Sequence, residues 1–255
     1  MVVVKACRLP TLSDYIRRCE LFGIPDEAAR FRFREFITKP RPPETAAFPG
    51  KVFAVSNITI RVPLLFMGRD DALTAIKAAL KRYEGRVAIT ALHGLRGVGK
   101  TTLAAAYAER HRGDYRATWW IRAQAISTMR ADLVALGIRL GWVGVGDKEE
   151  MAVESVLERF RHEGEGILLI FDNAVDANAL HAYLPRGGAA KVLITSNAPL
   201  WRRVAEPVEI RLWPKEIGAD YLTARTGRVA ERVAAEVLSQ QLGGLPLAQA
   251  AGHRG

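Results

Sequence analysis

Short apolar runs alternate with helical patterns from about residue 65 onward. Runs rich in Val, Ile, Leu and Trp predict five buried strands, at 87–92, 118–122, 166–172, 191–196 and 208–212. Segments of good helix-forming composition or helical apolar spacing predict the helices, at 70–83, 102–110, 126–140 and 149–161. Strands that alternate with helices indicate an α/β fold with a five-stranded parallel sheet flanked by helices.

The pattern changes on both sides of this region. After Pro214 it predicts only helices, at 215–225 and 229–242, which indicates the start of an all-α subdomain. Before the region lies a Pro-rich stretch typical of a linker, followed by an extended segment. The chain opens with an apolar, strand-like run, and a helix is predicted at 25–37. These changes divide the chain into four parts, at 1–38, 39–64, 65–212 and 213–255.

The composition is that of an ordinary globular protein. Hydrophobic residues make up 49% of the chain and charged residues 25%, which excludes a disordered protein. No apolar run approaches the roughly 20 residues that span a bilayer, and the apolar start is too short for a signal peptide, so we expect a cytoplasmic protein without a membrane partner. Cys7 and Cys19 are too few for a disulfide framework, and we expect reduced thiols.

The net charge of +10 raises the question of a nucleic-acid partner. Most basic residues are interleaved with acids, as in the segment 158–161, which is typical of a solvated surface. The densest basic cluster, Arg30, Arg32 and Arg34, alternates with phenylalanines and is typical of an amphipathic helix with partly buried arginines. The charge pattern therefore disfavours nucleic-acid binding.

A phosphate-binding motif follows the first predicted strand. Residues 94–101 read G-L-R-G-V-G-K-T and match G-x-x-x-x-G-K-[ST]. Such a loop directs backbone N–H groups at phosphate oxygens, Lys100 would add a cation for the β and γ phosphates, and the Thr101 hydroxyl would reach Mg²⁺. The order of strand, loop and helix disfavours the alternative, a Gly-rich turn that binds nothing. The candidate binding residues are Gly94, Gly97, Val98, Gly99, Lys100, Thr101 and Thr102.

A carboxylate ends the apolar strand predicted at 166–172. Ligands of open α/β folds bind at the carboxyl edge of the sheet, so we predict that Asp172 holds Mg²⁺, directly or through water. An ordinary turn is the alternative, and the phosphate loop favours the metal site. The next residue, Asn173, is an amide and cannot accept a proton from an attacking water. Lys100, Asp172 and Asn173 are the candidate catalytic residues.

Five motifs occur in the order that is found in NB-ARC domains. They are the segment 66–69 (F-M-G-R), the phosphate loop, and the segments 168–172, 191–196 and 244–248 (G-L-P-L-A). Over about residues 65–255 the chain resembles these signalling ATPases of the STAND class, especially the bacterial type. The resemblance implies a P-loop core followed by a helical subdomain that together clasp ADP in the resting state and ATP in the active state.

The resemblance also implies roles for single residues. Met67, Gly68 and Arg69 match the segment that lies along the adenine, and Pro246 would close over the nucleotide from the helical side. Asn197 stands where the family often has an arginine that senses the γ-phosphate, and Asn173 stands where many such ATPases carry a second acid. Two uncharged side chains leave fewer groups to stabilise the transition state, so we expect slow hydrolysis.

The first 38 residues resemble the last strand and helix of a TIR domain, through the segments 2–10, 21–24 and 28–30. The catalytic glutamate of that family lies earlier in its fold than anything here, so no NADase activity is expected. The chain thus resembles an interior fragment of a TIR, NB-ARC and sensor-repeat protein.

The sequence therefore predicts a switch that binds ADP and ATP with Mg²⁺ and that self-associates through the full-length protein. A turnover ATPase that acts on nucleic acid or protein partners is the first alternative. A nucleotide-binding scaffold without hydrolysis is the second.

Overall fold

The computed structural model describes residues 2–3, 19–20, 25–30, 55–82, 85–198, 201 and 204–251. It contains two compact units, Met1–Phe53 and Ala54–Gly255. In the first unit β1 (Val2–Val3) pairs in parallel with β2 (Cys19–Glu20), and residues 26–30 are helical. The rest of the TIR-like part and the Pro-rich stretch lie outside the described residues.

A six-stranded parallel sheet forms the centre of the second unit. Its strands are β3 (Val55–Ser56), β4 (Ala88–His93), β5 (Ala117–Arg122), β6 (Ile167–Ala174), β7 (Lys191–Ser196) and β8 (Glu206–Glu209), in the order β3-β5-β6-β7-β4-β8. The predicted fold class is confirmed, but the predicted number of five strands is wrong. The sixth strand, β3, has two residues, too few to show the alternation that reveals a strand in a sequence.

Eight α-helices of the second unit surround or follow this sheet in the described residues. They are α1 (Asp70–Lys81), α2 (Lys100–Arg110), α3 (Ile126–Leu140), α4 (Glu149–Glu163), α5 (Ala177–His181), α6 (Lys215–Thr226), α7 (Arg232–Gln241) and α8 (Pro246–Ala251). The long helices lie where their patterns predict them, whereas α5 and α8 are too short to show a period. No described helix combines the length and the apolar character that a membrane span requires.

The core lies on both faces of the sheet. Trp119 and Leu169 belong to a buried cluster that includes α3 and α4, whereas their neighbours Trp120 and Leu168 belong to a cluster that includes α1 and α2. The split arises because successive side chains of a strand point to opposite faces. Helices therefore cover both faces, and the strands can be almost wholly apolar.

The order of the strands positions the site. Strand β7 lies between β4, which leads into the phosphate loop, and β6, which leads to Asp172. Pairing between β6 and β7 runs regularly to Phe171 and Ile194, and then shifts so that Ala174 pairs with Ser196. The extra residue is a β-bulge at positions 172 and 173, and a bulge redirects the side chains that it carries.

Candidate functional site

The phosphate loop occupies the turn from β4 into α2. Gly94 has φ 147° and Gly99, the residue before α2, has φ 95°, values that residues with a Cβ rarely adopt. A Cβ on Gly94 would also lie 2.5 Å from the backbone oxygen of Ile210. The loop thus takes a backbone shape that depends on its glycines, with the N-terminus of α2 directly behind it.

Lys100 lies at the centre of the loop with little exposure to solvent. Its Nζ donates hydrogen bonds to the oxygens of Gly94 (2.9 Å) and Leu95 (2.9 Å) and to Oδ1 of Asn197 (2.8 Å). Burial lowers the pKa of its ammonium group below the ordinary value, and the charge of Asp172 opposes this effect in part. A bound polyphosphate would supply the negative charge that the buried cation lacks.

A single carboxylate oxygen connects three elements of the sheet edge. Oδ1 of Asp172 accepts hydrogen bonds from Thr101 Oγ1 at 2.8 Å and from Thr195 Oγ1 at 2.6 Å. Thr195 Oγ1 in turn accepts the backbone N–H of Asn173 at 2.8 Å. Asn173 has φ 64°, a left-handed conformation that Asn tolerates better than most residues. Asp172 thus lies at the same edge of the sheet as Lys100 and touches the loop.

Thr101 and Asp172 fit a magnesium ion whose other ligands would be phosphate oxygens of a bound nucleotide and waters. Among the described residues, no group of three or more His, Cys, Asp or Glu side chains could hold a metal ion on its own. Mg²⁺ needs fewer protein ligands than that, since it usually binds one or two carboxylates together with substrate phosphates and waters. Asp172 and the hydroxyl of Thr101 provide such a set of oxygens beside the loop.

The loop forms one wall of a cleft of about 850 Å³. Of the predicted site residues, those that line it are Met67, Arg69, Gly97, Val98, Gly99, Lys100, Thr101, Thr102, Asn173, Asn197 and Pro246. Gly68, Gly94 and Asp172, which were also predicted, are not among the described residues that line the cleft. Residues that sequence reasoning did not assign to the site also line the cleft, among them Gln124, Val175, Thr195, Trp213, Tyr221 and Leu247. The cleft combines a cationic loop with apolar and aromatic side chains.

Arg69 is buried and ties the loop to the segment after β8. One guanidinium nitrogen, Nη2, donates to the oxygen of Val98 at 2.8 Å, and Nη1 donates to the oxygen of Arg211 at 2.7 Å. The guanidinium lies 5.7 Å from the centre of the Trp213 ring. Burial lowers the pKa of Arg69, against the opposing charge of Asp71. Its side chain therefore fixes the position of the loop, and the predicted contact of this segment with adenine stays a prediction.

The segment that carries the G-L-P-L-A motif contacts the phosphate loop directly. The backbone N–H of Leu247 donates to the oxygen of Gly97 at 3.3 Å, and Pro246 lines the cleft beside it. At the start of the motif, the oxygen of Gly244 accepts the N–H of Trp213 at 2.9 Å. Helix α8 thus closes one side of the cleft through contacts of the backbone.

Residues 65–242 match the family model of the AAA ATPase domain. The regulatory protein AfsR of Streptomyces griseus is 32% identical over 179 residues, which are 67% of this chain and 18% of that protein. The AfsR protein of Streptomyces coelicolor is 31% identical over 189 residues, 70% of this chain and 19% of that protein. The chain thus spans less than a fifth of the length of these relatives.

Among solved structures, a Signal Transduction ATPase with Numerous Domains from Pyrococcus horikoshii, which has a tetratricopeptide repeat sensor, superposes with a TM-score of 0.50. The two are 18% identical, and the superposed region makes up 73% of this chain and 29% of that protein. At this identity the likeness concerns the fold.

Proposed function

Because the chain belongs to the AAA ATPase domain family, we propose that it is the ADP/ATP switch of a STAND-type signalling ATPase. ADP holds the segment around α8 against the phosphate loop, and ATP favours an open form that self-associates in the full-length protein. The hydrogen bond from Leu247 to Gly97 carries this proposal, because it joins the helical segment to the loop that would bind phosphate. The regulatory proteins that match the chain support a role in signalling.

Each group at the edge of the sheet has a defined task in binding. The backbone N–H groups of the loop and the Lys100 ammonium bind the phosphates. Thr101 and Asp172 would hold Mg²⁺, which would neutralise part of the phosphate charge. Thr195 orients the Asp172 carboxylate through its hydroxyl, and the same hydroxyl fixes the backbone of Asn173.

Slow hydrolysis follows from the side chains at positions 173 and 197. Asn173 lines the cleft next to Asp172, but its amide cannot accept the proton of an attacking water. Asn197 is also neutral and is engaged by Lys100. Slow turnover suits a switch, since the nucleotide state then lasts long enough to signal.

In this arrangement, residues 65–212 would form the nucleotide-binding core and residues 213–255 the start of the helical subdomain. Residues 1–38 are proposed to be the end of a TIR-like domain, joined through the linker 39–64. The nucleotide state of the core could thus be coupled to the segments that precede and follow it in the sequence.

Hydrogen exchange of the backbone provides the test of the switch. With ADP bound, the amide of Leu247 is expected to exchange at least about 10-fold more slowly than with a non-hydrolysable ATP analogue, because only the closed form keeps its hydrogen bond to Gly97. The amides of β7 serve as an internal control, since this central strand is buried with either nucleotide. Equal protection of Leu247 by the two nucleotides would contradict the switch.

Asn173→Asp is expected to raise kcat for ATP hydrolysis by about 10-fold or more, because the carboxylate can act as a general base. Nucleotide affinity should stay nearly the same, and Asp tolerates the left-handed backbone of this position about as well as Asn does. Steady-state phosphate release measures the effect. Asn178→Asp, the same charge change at an exposed position of helix α5, is the matched control. An unchanged kcat in Asn173→Asp would mean that another step, such as ADP release, limits turnover.

A further inference from the structure

The phosphate loop carries a second cation that its motif does not require. Arg96 occupies one of the four variable positions between Gly94 and Gly99. Its side chain is exposed and lines the same cleft as Lys100, Thr101 and Asn197. Within the described parts of the chain, its guanidinium has no hydrogen-bond or ion-pair partner. The five N–H donors of its planar guanidinium are thus available to a ligand that binds at the loop.

The other cations that line the cleft are already engaged. Lys100 donates to three oxygens of the protein, and Arg69 donates to two backbone oxygens while it lies against Trp213. Arg69 is also buried, whereas Arg96 is free to turn toward a ligand. Among the described cleft residues, Arg96 is therefore the cation that can respond to added negative charge without breaking a contact.

The terminal phosphate of ATP is the part of the ligand that needs such a cation. It adds negative charge that ADP lacks, while the residue that follows β7, Asn197, carries an uncharged amide. A guanidinium matches the oxygens of a phosphate with two parallel hydrogen bonds, which a lysine cannot do.

We propose that Arg96 binds the terminal phosphate and so sets the preference of the cleft for ATP over ADP. The inference rests on the proposed function, because it assumes that the cleft binds both nucleotides. It places the phosphate sensor on the loop itself, on a different element from the end of β7. A substitution of Arg96 would then lower the affinity for ATP and leave the affinity for ADP unchanged.

Calorimetric titration of Arg96→Gln with Mg–ADP and with a Mg-bound, non-hydrolysable ATP analogue tests this role. Affinity for the analogue is expected to fall by about 10-fold or more, as for the loss of a charge-assisted hydrogen bond, while affinity for ADP stays within about 2-fold. Arg96→Lys should retain an intermediate preference. Arg112→Gln, the same charge change at an exposed arginine outside the cleft lining, should bind both nucleotides like the parent chain.

Two results would overturn the inference: an unchanged affinity of Arg96→Gln for the analogue, or an equal loss for ADP and the analogue, which would indicate general attraction by charge. The melting temperature without nucleotide should match that of the parent chain, since the side chain makes no described contact. Failure of the proposed function is distinguishable. A parent chain without a nucleotide site would bind neither nucleotide, and failure of the switch alone would leave Leu247 equally protected by ADP and by the ATP analogue in hydrogen exchange.

Discussion

Replacing Lys100 by alanine is expected to lower the affinity for both ADP and ATP by at least about 100-fold. The ammonium group is buried at the centre of the loop. Its attraction to a phosphate is therefore screened less by dissolved ions than that of an exposed lysine, and its loss costs more. Since both nucleotides carry a β-phosphate, the loss should affect both. Isothermal titration calorimetry of the variant and the parent chain measures it.

Lys148→Ala is a matched control for this experiment. Lys148 is an exposed lysine before α4 and lies outside the cleft lining, so the variant loses the same charge without a change in the site. The fold should survive Lys100→Ala, because the residue sits at the first turn of α2 and alanine is a good helix former. Full retention of nucleotide affinity in Lys100→Ala would exclude the loop as the phosphate site.

Gly244→Ala is expected to weaken ADP binding by about 10-fold or more, through faster release of the nucleotide. Gly244 has φ 65°, and a Cβ there would lie 2.2 Å from the backbone oxygen of Trp213. The backbone must move to relieve this contact, which displaces the segment that leads to Leu247 and its bond to the loop. Stopped-flow release of a fluorescent ADP analogue measures the change.

A matched substitution at the neighbouring Gly243 separates the strain of a left-handed backbone from the steric contact with Trp213. It has φ 63°, but no atom lies within 4 Å of a Cβ built on it. Both alanine variants should therefore lose about 1 kcal/mol of stability from the left-handed backbone, and only Gly244→Ala should also release ADP faster. Equal release rates in the two variants would show that docking of this segment does not control the nucleotide.

The sequence predicted most of the sheet and the long helices because their patterns are local. The apolar runs that became β4 to β7 and the periods of α1 to α4 repeat over enough residues to be recognised. The phosphate loop was recognisable because its glycines and lysine form a contiguous motif. The meeting of Asp172 with Thr101 followed from the rule that parallel strands bring their carboxyl ends to one edge.

The remaining contacts join residues that are far apart in the chain. Arg69 bonds to Val98, 29 positions away, and to Arg211, 142 positions away, and no local pattern indicates either partner. Thr195 was part of a predicted strand, but its bridge between Asp172 and the backbone of Asn173 depends on the bulge in the neighbouring strand. Shifts of register are set by pairing between strands, which a single sequence does not display.

That bulge has a consequence for how the protein could diversify. In a regular strand, two consecutive side chains would point to opposite faces, and only one could serve the ligand. Here Asp172 contacts Thr101, which lines the cleft, and Asn173 lines the cleft itself. Under the proposed function, metal binding and the speed of turnover would therefore depend on separate, adjacent side chains. Substitutions at position 173 could thus change the rate of hydrolysis, and with it the lifetime of the signal, during evolution without a change in nucleotide affinity.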